Sequence, residues 1–283
     1  MMGQSDSATL VRESLKEVEE VACELATLAG AEITRTFGSM LTVRYKSSPT
    51  GKEVSLRDPV SEVDARIESL IRARLNERFP DHNIIGEEMK DRLGRSHEFL
   101  WAVDPIDGTT NFVNGFPIFA ASIGVLCDGK PVVGALWCSV SHTLRSGVYH
   151  AREGGKLRFE NEEVTPRLNP DVRRRLAGVP VATASDESEW ETRKTGSAAI
   201  ECALVAAGLM QVARFASPNI WDVAGGLALV RAAKREVRHY RDGKWVEMRE
   251  FTPMRGLDGV DDLRHWHGAL VIGTPDAVKQ MCS

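Results

Sequence analysis

The stretch Asp104-Pro105-Ile106-Asp107-Gly108-Thr109-Thr110-Asn111-Phe112 decides how this chain is read. It follows Phe99-Leu100-Trp101-Ala102-Val103, an apolar run with the length and composition of a buried strand. Pro105 breaks that strand, so a turn is expected directly after Asp104. A turn brings residues three apart close together, which lets the carboxylates of Asp104 and Asp107 face one point. Gly108-Thr109-Thr110 then reads as a helix start, whose unpaired N–H groups suit an anion. A bare D-P-x-D would be read as an ordinary turn followed by an N-cap. Here the string continues, and two further acidic segments accompany it: Ile85-Gly86-Glu87-Glu88 before it and Trp221-Asp222-Val223-Ala224-Gly225-Gly226 far beyond it.

Outward from that stretch, residues 8 to 37 have helical periodicity, with Leu10, Leu15, Val18, Val21, Cys23, Leu25, Leu28 and Ile33 forming an apolar stripe and Gly38 as a stop. The polar run Lys46 to Asp58 reads as a loop or loose hairpin, with Lys46 a solvated lysine. A second helix is expected from about Pro59 to Phe79, burying Val63, Ile67, Leu70, Ile71 and Leu75 and ended by Pro80. Phe119 to Leu126 and Val132 to Val140 flank Cys127-Asp128-Gly129-Lys130, a hairpin signal. The second half offers a strand over Gly178 to Ala184, a helix over Ser197 to Leu209 and a strand over Val212 to Phe215. A helix over Trp221 to Ala233 follows, then strands near Glu236 to Tyr240 and Ala269 to Ile272, and a short helix after Pro275. Helices and strands alternating in blocks make a layered α/β (α+β) architecture. We expect a single domain over residues 1–283, with an N-terminal half (1–150) carrying most of the acidic motif and a C-terminal half (151–283) carrying Asp222.

The chain has 283 residues, 42% of them hydrophobic and 27% charged, an ordinary globular composition. A net charge of -4 gives no electrostatic footprint for nucleic acid, and Arg173-Arg174-Arg175 is too short to alter that. Cys23, Cys127, Cys138, Cys202 and Cys282 are odd in number and widely spaced, which points to reduced thiols in a cytoplasmic protein. The most apolar stretch, Phe116 to Leu126, is shorter than the roughly 20 residues a membrane span needs. Asp6, Glu13, Glu17, Glu19 and Glu20 speak against a signal peptide.

The G-E-E, D-P-I-D-G-T-T-N-F and W-D segments, in that order, resemble the signature motifs of the inositol monophosphatase family. Lys46-Ser47-Ser48-Pro49 and Asp58-Pro59-Val60-Ser61-Glu62-Val63-Asp64 match further landmarks, so the likeness spans nearly the whole chain. It implies a layered αβαβα sandwich of the inositol monophosphatase and fructose-1,6-bisphosphatase type, and a lithium-sensitive phosphomonoesterase using two or three Mg²⁺ ions. By that resemblance Glu87, Asp104 and the Ile106 carbonyl hold one ion, and Asp104, Asp107 and Asp222 hold a second. Glu87 helps bind a third and counts with Asp64 and Thr109 as catalytic, the latter two orienting and deprotonating the attacking water. The N–H groups of Gly108 and Thr109 grip the phosphate. Gly196, Ser197 and Asp222 contact the rest of the substrate, although Ser197 also reads as a plain helix N-cap. A small soluble phosphate ester as partner and a homodimer are implied in the same way, with neither nucleic acid nor membrane involved. Electrostatics agrees: two carboxylates about 4 Å apart at an effective dielectric near 20 repel by roughly 4 kcal/mol, so hard cations belong among four of them.

Three features depart from the family's pattern. Phe215 stands where inositol-specific members carry an acidic residue that accepts from ring hydroxyls, which disfavours myo-inositol phosphate as substrate. The stretch between Ala184 and Gly196 is short, with a helix and a strand missing, and Arg241 to His267 is long. A sugar phosphate, a nucleotide 3′-phosphate and histidinol phosphate remain open as substrates. A regulatory protein that keeps the fold and acts with the transcription machinery is the competing class. Trp101 and Trp221 are expected to pack beneath the site, Glu88 to be structural, and His265 and His267 to lie at the surface.

Overall fold

The computed structural model describes residues 4–47, 54–91, 93, 99–166, 169–181, 189–256 and 259–282. In chain order the first elements are α1 (Gln4–Thr36), β1 (Val43–Ser47), β2 (Val54–Ser61), α2 (Glu62–Arg78), β3 (Asn83–Gly86), β4 (Phe99–Asp107) and α3 (Thr109–Val113). There follow β5 (Ala120–Cys127), β6 (Lys130–Cys138), β7 (Gly147–Arg152), β8 (Arg158–Phe159) and β9 (Glu162–Glu163). The remainder are β10 (Arg175–Gly178), β11 (Trp190–Arg193), α4 (Ala198–Ala206), β12 (Val212–Phe215), α5 (Ile220–Ala232), β13 (Glu236–Arg241), β14 (Lys244–Glu247), β15 (Met254–Arg255), β16 (Asp261–Asp262), β17 (Leu270–Gly273) and α6 (Pro275–Cys282).

Among the described residues, one sheet runs β3-β4-β5-β6-β7-β8-β9 and another runs β11-β10-β12-β17-β13-β14. Helices α1 and α2 cover the outer face of the first sheet, burying Val18, Leu25, Ile33, Ile67 and Ile71 against Trp101, Val103 and Ile123. Helices α4 and α5 lie between the sheets, and α6 closes the far face of the second with Ala277 and Val278. The order helix, sheet, helix, sheet, helix is the layered αβαβα sandwich that the resemblance implies. Strands buried on both faces explain why Phe99–Asp107 and Ala120–Cys127 read as near-continuous apolar runs rather than alternating ones.

The middle layer sits unusually close to the first sheet, and glycines permit it. A Cβ on Gly134 of β6 would collide with the carbonyl oxygen of Gly225 in α5, and one on Gly124 of β5 with the Gly225 nitrogen. In the third motif Gly225 therefore seats α5, and with it Asp222, on the first sheet, while Gly226 lets α5 close onto Cys202 of α4.

Several expectations need correction. No turn forms at Pro105: β4 continues to Asp107, and the register against β5 slips between Asp104↔Ser122 and Asp107↔Ala120, a bulge of one extra residue. Proline cannot donate to the ladder, so the chain bulges where the ladder would need its N–H. Leu70 is exposed, because the buried sector of α2 is pulled toward Asp64 and Glu68 and leaves Leu70 at its rim. The strand expected over Gly178 to Ala184 lies earlier, at Arg175–Gly178; residues 182–188 lie outside the described set. The short stretch before Gly196 does hold a strand, Trp190–Arg193, pairing parallel with β10. Lys46 lies on β1, which pairs antiparallel with β2, so the hairpin alternative holds for the described ends of that segment; residues 48–53 lie outside the described set. His265 is half-buried while His267 is exposed. No described helix is long and apolar enough to cross a membrane.

Candidate active site

Each acidic side chain of the three motifs is delivered by the end of an element. Asp64 occupies the third position of α2 in a reciprocal capping box: its Oδ2 accepts from the Ser61 N–H at 2.9 Å and from the Ser61 hydroxyl at 2.5 Å. Its Oδ1 faces the Thr109 hydroxyl at 3.3 Å. Asp104 sits in the bulge, where its Oδ1 accepts from the Ile106 N–H at 3.0 Å. Asp107 ends β4, and its Oδ2 accepts from the Ser197 hydroxyl at 2.5 Å and the Ala199 N–H at 2.6 Å, both at the start of α4. Asp222 is the third residue of α5, and its Oδ2 accepts from the Asn219 N–H at 2.8 Å. Glu87 follows β3, with its N–H donated to the Val103 carbonyl at 3.2 Å.

Electrostatics binds these groups together. Burial holds the Asp104 carboxyl well above the usual carboxylate range, and the charges of Glu87, Asp107 and Asp222 push it further; the Glu87 and Asp104 carboxyls lie within hydrogen-bonding reach. Asp222 is likewise raised by burial and then by Asp107. Asp107 is raised to about 6 by burial, against the opposing hydrogen bonds from Ser197 and Ala199. Asp64 is raised to about 7 by burial, with Glu88 and Glu87 adding to it. The principal charged neighbours of these carboxylates are other carboxylates, a donor set of hard, anionic oxygens that suits Mg²⁺. Among the described residues no three His, Cys, Asp or Glu side chains stand in metal-holding geometry. Asp64, Asp104, Asp107 and Asp222 each have one oxygen engaged by a hydrogen-bond donor of the chain.

A folded-state pKa above the unfolded value makes the protonated form the stabilising one. The contribution of Asp107 and Asp64 is therefore fully present below the unfolded value of 3.8 and is lost as pH rises through about 6 for Asp107 and about 7 for Asp64. In a chelating buffer the melting temperature is expected to fall as pH rises through this window, and excess Mg²⁺ is expected to abolish that fall by favouring the charged forms. Thermal melts across the window, with and without Mg²⁺, measure it; a chelated protein that gains stability on raising the pH contradicts the arrangement.

Gly108 caps α3 at φ 94°, a left-handed conformation that glycine adopts at no steric cost. The Thr109 hydroxyl lies 2.8 Å from the Ile106 carbonyl. Ser197 is the N-cap of α4, and its hydroxyl both donates to Asp107 and accepts from the Ile200 N–H at 3.2 Å. Gly196 adopts φ 82° beside Asn111. Gly196, Ser197 and Asp222 border a cavity of about 230 Å³ whose other walls include Val179, Pro180, Phe215 and Pro218. Trp101 is fully buried, donating Nε1–H to His82 Nδ1 at 2.9 Å, and the Trp221 carbonyl accepts from Ser122 at 3.1 Å.

Sequence reading passed over several residues that hold this site. Asn111 Nδ2 donates to the carbonyls of Ile118 and Thr195 at 2.7 and 2.8 Å, tying α3 to the loop before α4. Glu68, fully buried one turn after Asp64, accepts from the Glu88 N–H at 2.8 Å and the Met89 N–H at 3.2 Å, and so fixes the turn carrying Glu87. Glu201, raised to about 7 by burial, accepts from Thr195 at 2.8 Å. A signal existed for one of them: Asp64, Glu68 and Arg72 recur every fourth residue beside the apolar stripe of α2.

A family model described as the inositol monophosphatase family matches residues 14–270. The chain is 30% identical over 236 residues to the fructose-1,6-bisphosphatase/inositol-1-monophosphatase of Aquifex aeolicus, covering 78% of this chain and 85% of the relative. It is 30% identical over 228 residues to the inositol-1-monophosphatase of Bacillus subtilis, covering 76% and 82%. Among solved structures, extragenic suppressor protein suhB from Bartonella henselae superposes with a TM-score of 0.72 at 23% identity over 94% of this chain and 96% of that one, which shows the shared fold. The matched span takes in every motif described above, and the chain belongs to the inositol monophosphatase family, a family of phosphoric monoester hydrolases.

Proposed function

We propose that this chain is a Mg²⁺-dependent phosphomonoesterase acting on a small soluble phosphate ester. The observation that carries the reading is the mutual electrostatic influence of Glu87, Asp104, Asp107 and Asp222, brought together from the end of β3, from β4 and from the start of α5, near the Gly108-Thr109 helix start. Glu87, Asp104 and the Ile106 carbonyl would hold one ion, and Asp104, Asp107 and Asp222 a second, with Glu87 open to a third. When bound, the ions supply charge neutralisation, polarisation of the phosphoryl oxygens and acidification of coordinated water.

The chain's own groups do the rest. The N–H groups of Gly108 and Thr109 grip the phosphate and orient it. The Thr109 hydroxyl has one proton and two acceptors, the Ile106 carbonyl and Asp64 Oδ1. Turning that proton to Asp64 frees the Thr109 oxygen to accept from the attacking water, and Asp64, anchored by Ser61, takes up the proton relayed through Thr109. The water oxygen then bonds to phosphorus in line as the ester P–O bond breaks on the opposite side, the departing alkoxide takes a proton from solvent, and Asp64 returns its proton to solvent, with no covalent enzyme intermediate. Gly196, Ser197 and Asp222 border the space for the leaving alcohol. There Phe215, 7% exposed, offers no acceptor to a ring hydroxyl, which disfavours myo-inositol phosphate itself and leaves another inositol phosphate-like ester or a sugar phosphate as the substrate, with a nucleotide 3′-phosphate and histidinol phosphate as alternatives. A homodimer in the cytoplasm completes the reading.

A phosphate-release screen over a panel of phosphorylated metabolites tests it. Release should require Mg²⁺ and be inhibited by millimolar lithium. Thr109→Val should lower kcat about 100-fold, the scale of a lost proton-transfer group, with little change in the Mg²⁺ requirement. A panel with no hydrolysed member, or turnover in Thr109→Val equal to the parent's, defeats the assignment.

A further inference from the structure

Arg264 lies in the short 3-10 turn Leu263–His265, within the long segment that follows β14. Its Nη1 donates to the carbonyl of Gly86 at 2.8 Å, a contact between residues 178 apart in sequence, and to Asp91 Oδ1 at 2.5 Å. Its guanidinium carbon stands 5.1 Å from the centroid of the Trp221 ring. Gly86 immediately precedes Glu87, and Trp221 immediately precedes Asp222. One planar cation thus touches the turn that delivers Glu87 and the helix that delivers Asp222.

The anchorage on either side is firm. The Arg264 N–H is capped by Asp262 Oδ1 at 2.9 Å. Trp266 is buried and packs edge-on against Phe251, with ring centroids 4.7 Å apart. His267 forms a β-bridge with Asn219, the N-cap of α5. On the other side, Asp91 Oδ1 also accepts from the Gly86 N–H at 3.4 Å, and Glu68 holds the N–H groups of Glu88 and Met89. The Glu87 turn is therefore gripped from α2 by Glu68 and from the α5 side by Arg264.

We propose that Arg264 is a positioning residue that fixes the separation of Glu87 and Asp222, and so sets the affinity of the site for divalent cations. This rests on the ligand roles assigned above. The physical need is plain: the two carboxylates come from distant parts of the chain and repel each other when no cation lies between them. An outside brace limits how far they can part and spares the cation the cost of gathering them. Arginine suits the task because its flat guanidinium can stack on an indole while its edge donates to a carbonyl and a carboxylate; a lysine ammonium cannot do all three.

The test is Mn²⁺ binding to the full chain, read from the electron paramagnetic resonance of free Mn²⁺, alongside Mg²⁺ activation of phosphate release. Arg264→Met should weaken Mn²⁺ binding and raise the half-activating Mg²⁺ concentration about 10-fold or more, the usual effect of removing a group that orients metal ligands. At saturating Mg²⁺ the KM for the ester should shift far less. Arg264→Lys should fall between the two, and Asp91→Asn should weaken binding less than Arg264→Met, since the contacts to Gly86 and Trp221 remain. Circular dichroism confirms that each variant is folded. Parental Mn²⁺ affinity in Arg264→Met, or activity lost without a change in that affinity, overturns the proposal. Asp104→Asn separates the two levels. If it binds Mn²⁺ as the parent does, the ligand assignment fails and takes the inference with it. If it loses binding while Arg264→Met keeps it, the inference alone fails.

Discussion

Replacing Asp104 by asparagine is expected to lower Mg²⁺-dependent phosphate release by about 1,000-fold while raising the melting temperature in a chelating buffer. The loss follows from the position of Asp104: it is 2% exposed, lies within hydrogen-bonding reach of Glu87 and feels the charges of Asp107 and Asp222. Both proposed ions need its oxygens, and groups that stabilise charge in a reacting phosphate typically contribute two to three orders of magnitude in rate or more. The gain in stability follows from the same facts. Asparagine keeps the shape and an oxygen to accept from the Ile106 N–H, and its amide can donate toward Glu87, so a carboxyl whose ionisation burial and its neighbours oppose becomes a permanently neutral hydrogen-bond donor. A variant that loses activity because it unfolds would melt lower; one whose ion site is broken melts higher without metal and gains little from adding it. Calorimetric melts with and without Mg²⁺, beside steady-state turnover, separate the two, and parental turnover would refute the assignment.

Gly134→Ala is expected to destabilise the fold by about 3 kcal/mol, the upper range for overpacking a close contact, and to reduce activity with it. The added methyl would be driven into the carbonyl oxygen of Gly225 and within 3.2 Å of the Ala228 Cβ. Neither the central strand β6 nor the backbone of α5 can rotate away as a flexible side chain would. Relief requires α5 to lift from the first sheet, and Asp222 in its first turn then moves off Asp104 and Asp107. The urea midpoint measures the stability change. Gly268→Ala, where a Cβ meets nothing within 4 Å, is the control that should shift little. Equal midpoints for the two variants would show that the helix–sheet contact is not as tight as described.

The legible part of the chain was local. Helices α1 and α2 announced themselves because one face of each is buried, and a buried face writes its period into the sequence; α4, buried nearly all round, was legible instead from its alanine content. The hairpin between β5 and β6 was equally plain, since Asp128 and Gly129 at φ 49° and 79° are the residues a tight turn of left-handed backbone demands. The proposed ligands were found because short motifs recur wherever the same carboxylates are wanted. Pro105 was misread because a missing N–H ends one ladder hydrogen bond whether the chain then turns or bulges, and only pairing with β5 selects the bulge. Leu70 was misplaced because the helical period gives the width of a stripe, not which way a neighbouring sheet tilts it.

The sequence by itself determined which residues are apolar enough to form layers, which carboxylates are available and that they must be neutralised if they meet. Those properties belong to single residues and their near neighbours, so they need no coordinates. Tertiary structure alone decided that Ser197 is bonded to Asp107, that Glu68 fixes the Glu87 turn and that Arg264 joins that turn to the Asp222 helix. These are side chains of unremarkable type, and they reach partners 20 to 178 residues away. No periodicity or motif encodes a partner at such a distance; it exists only once the two sheets have closed on the shared helical layer.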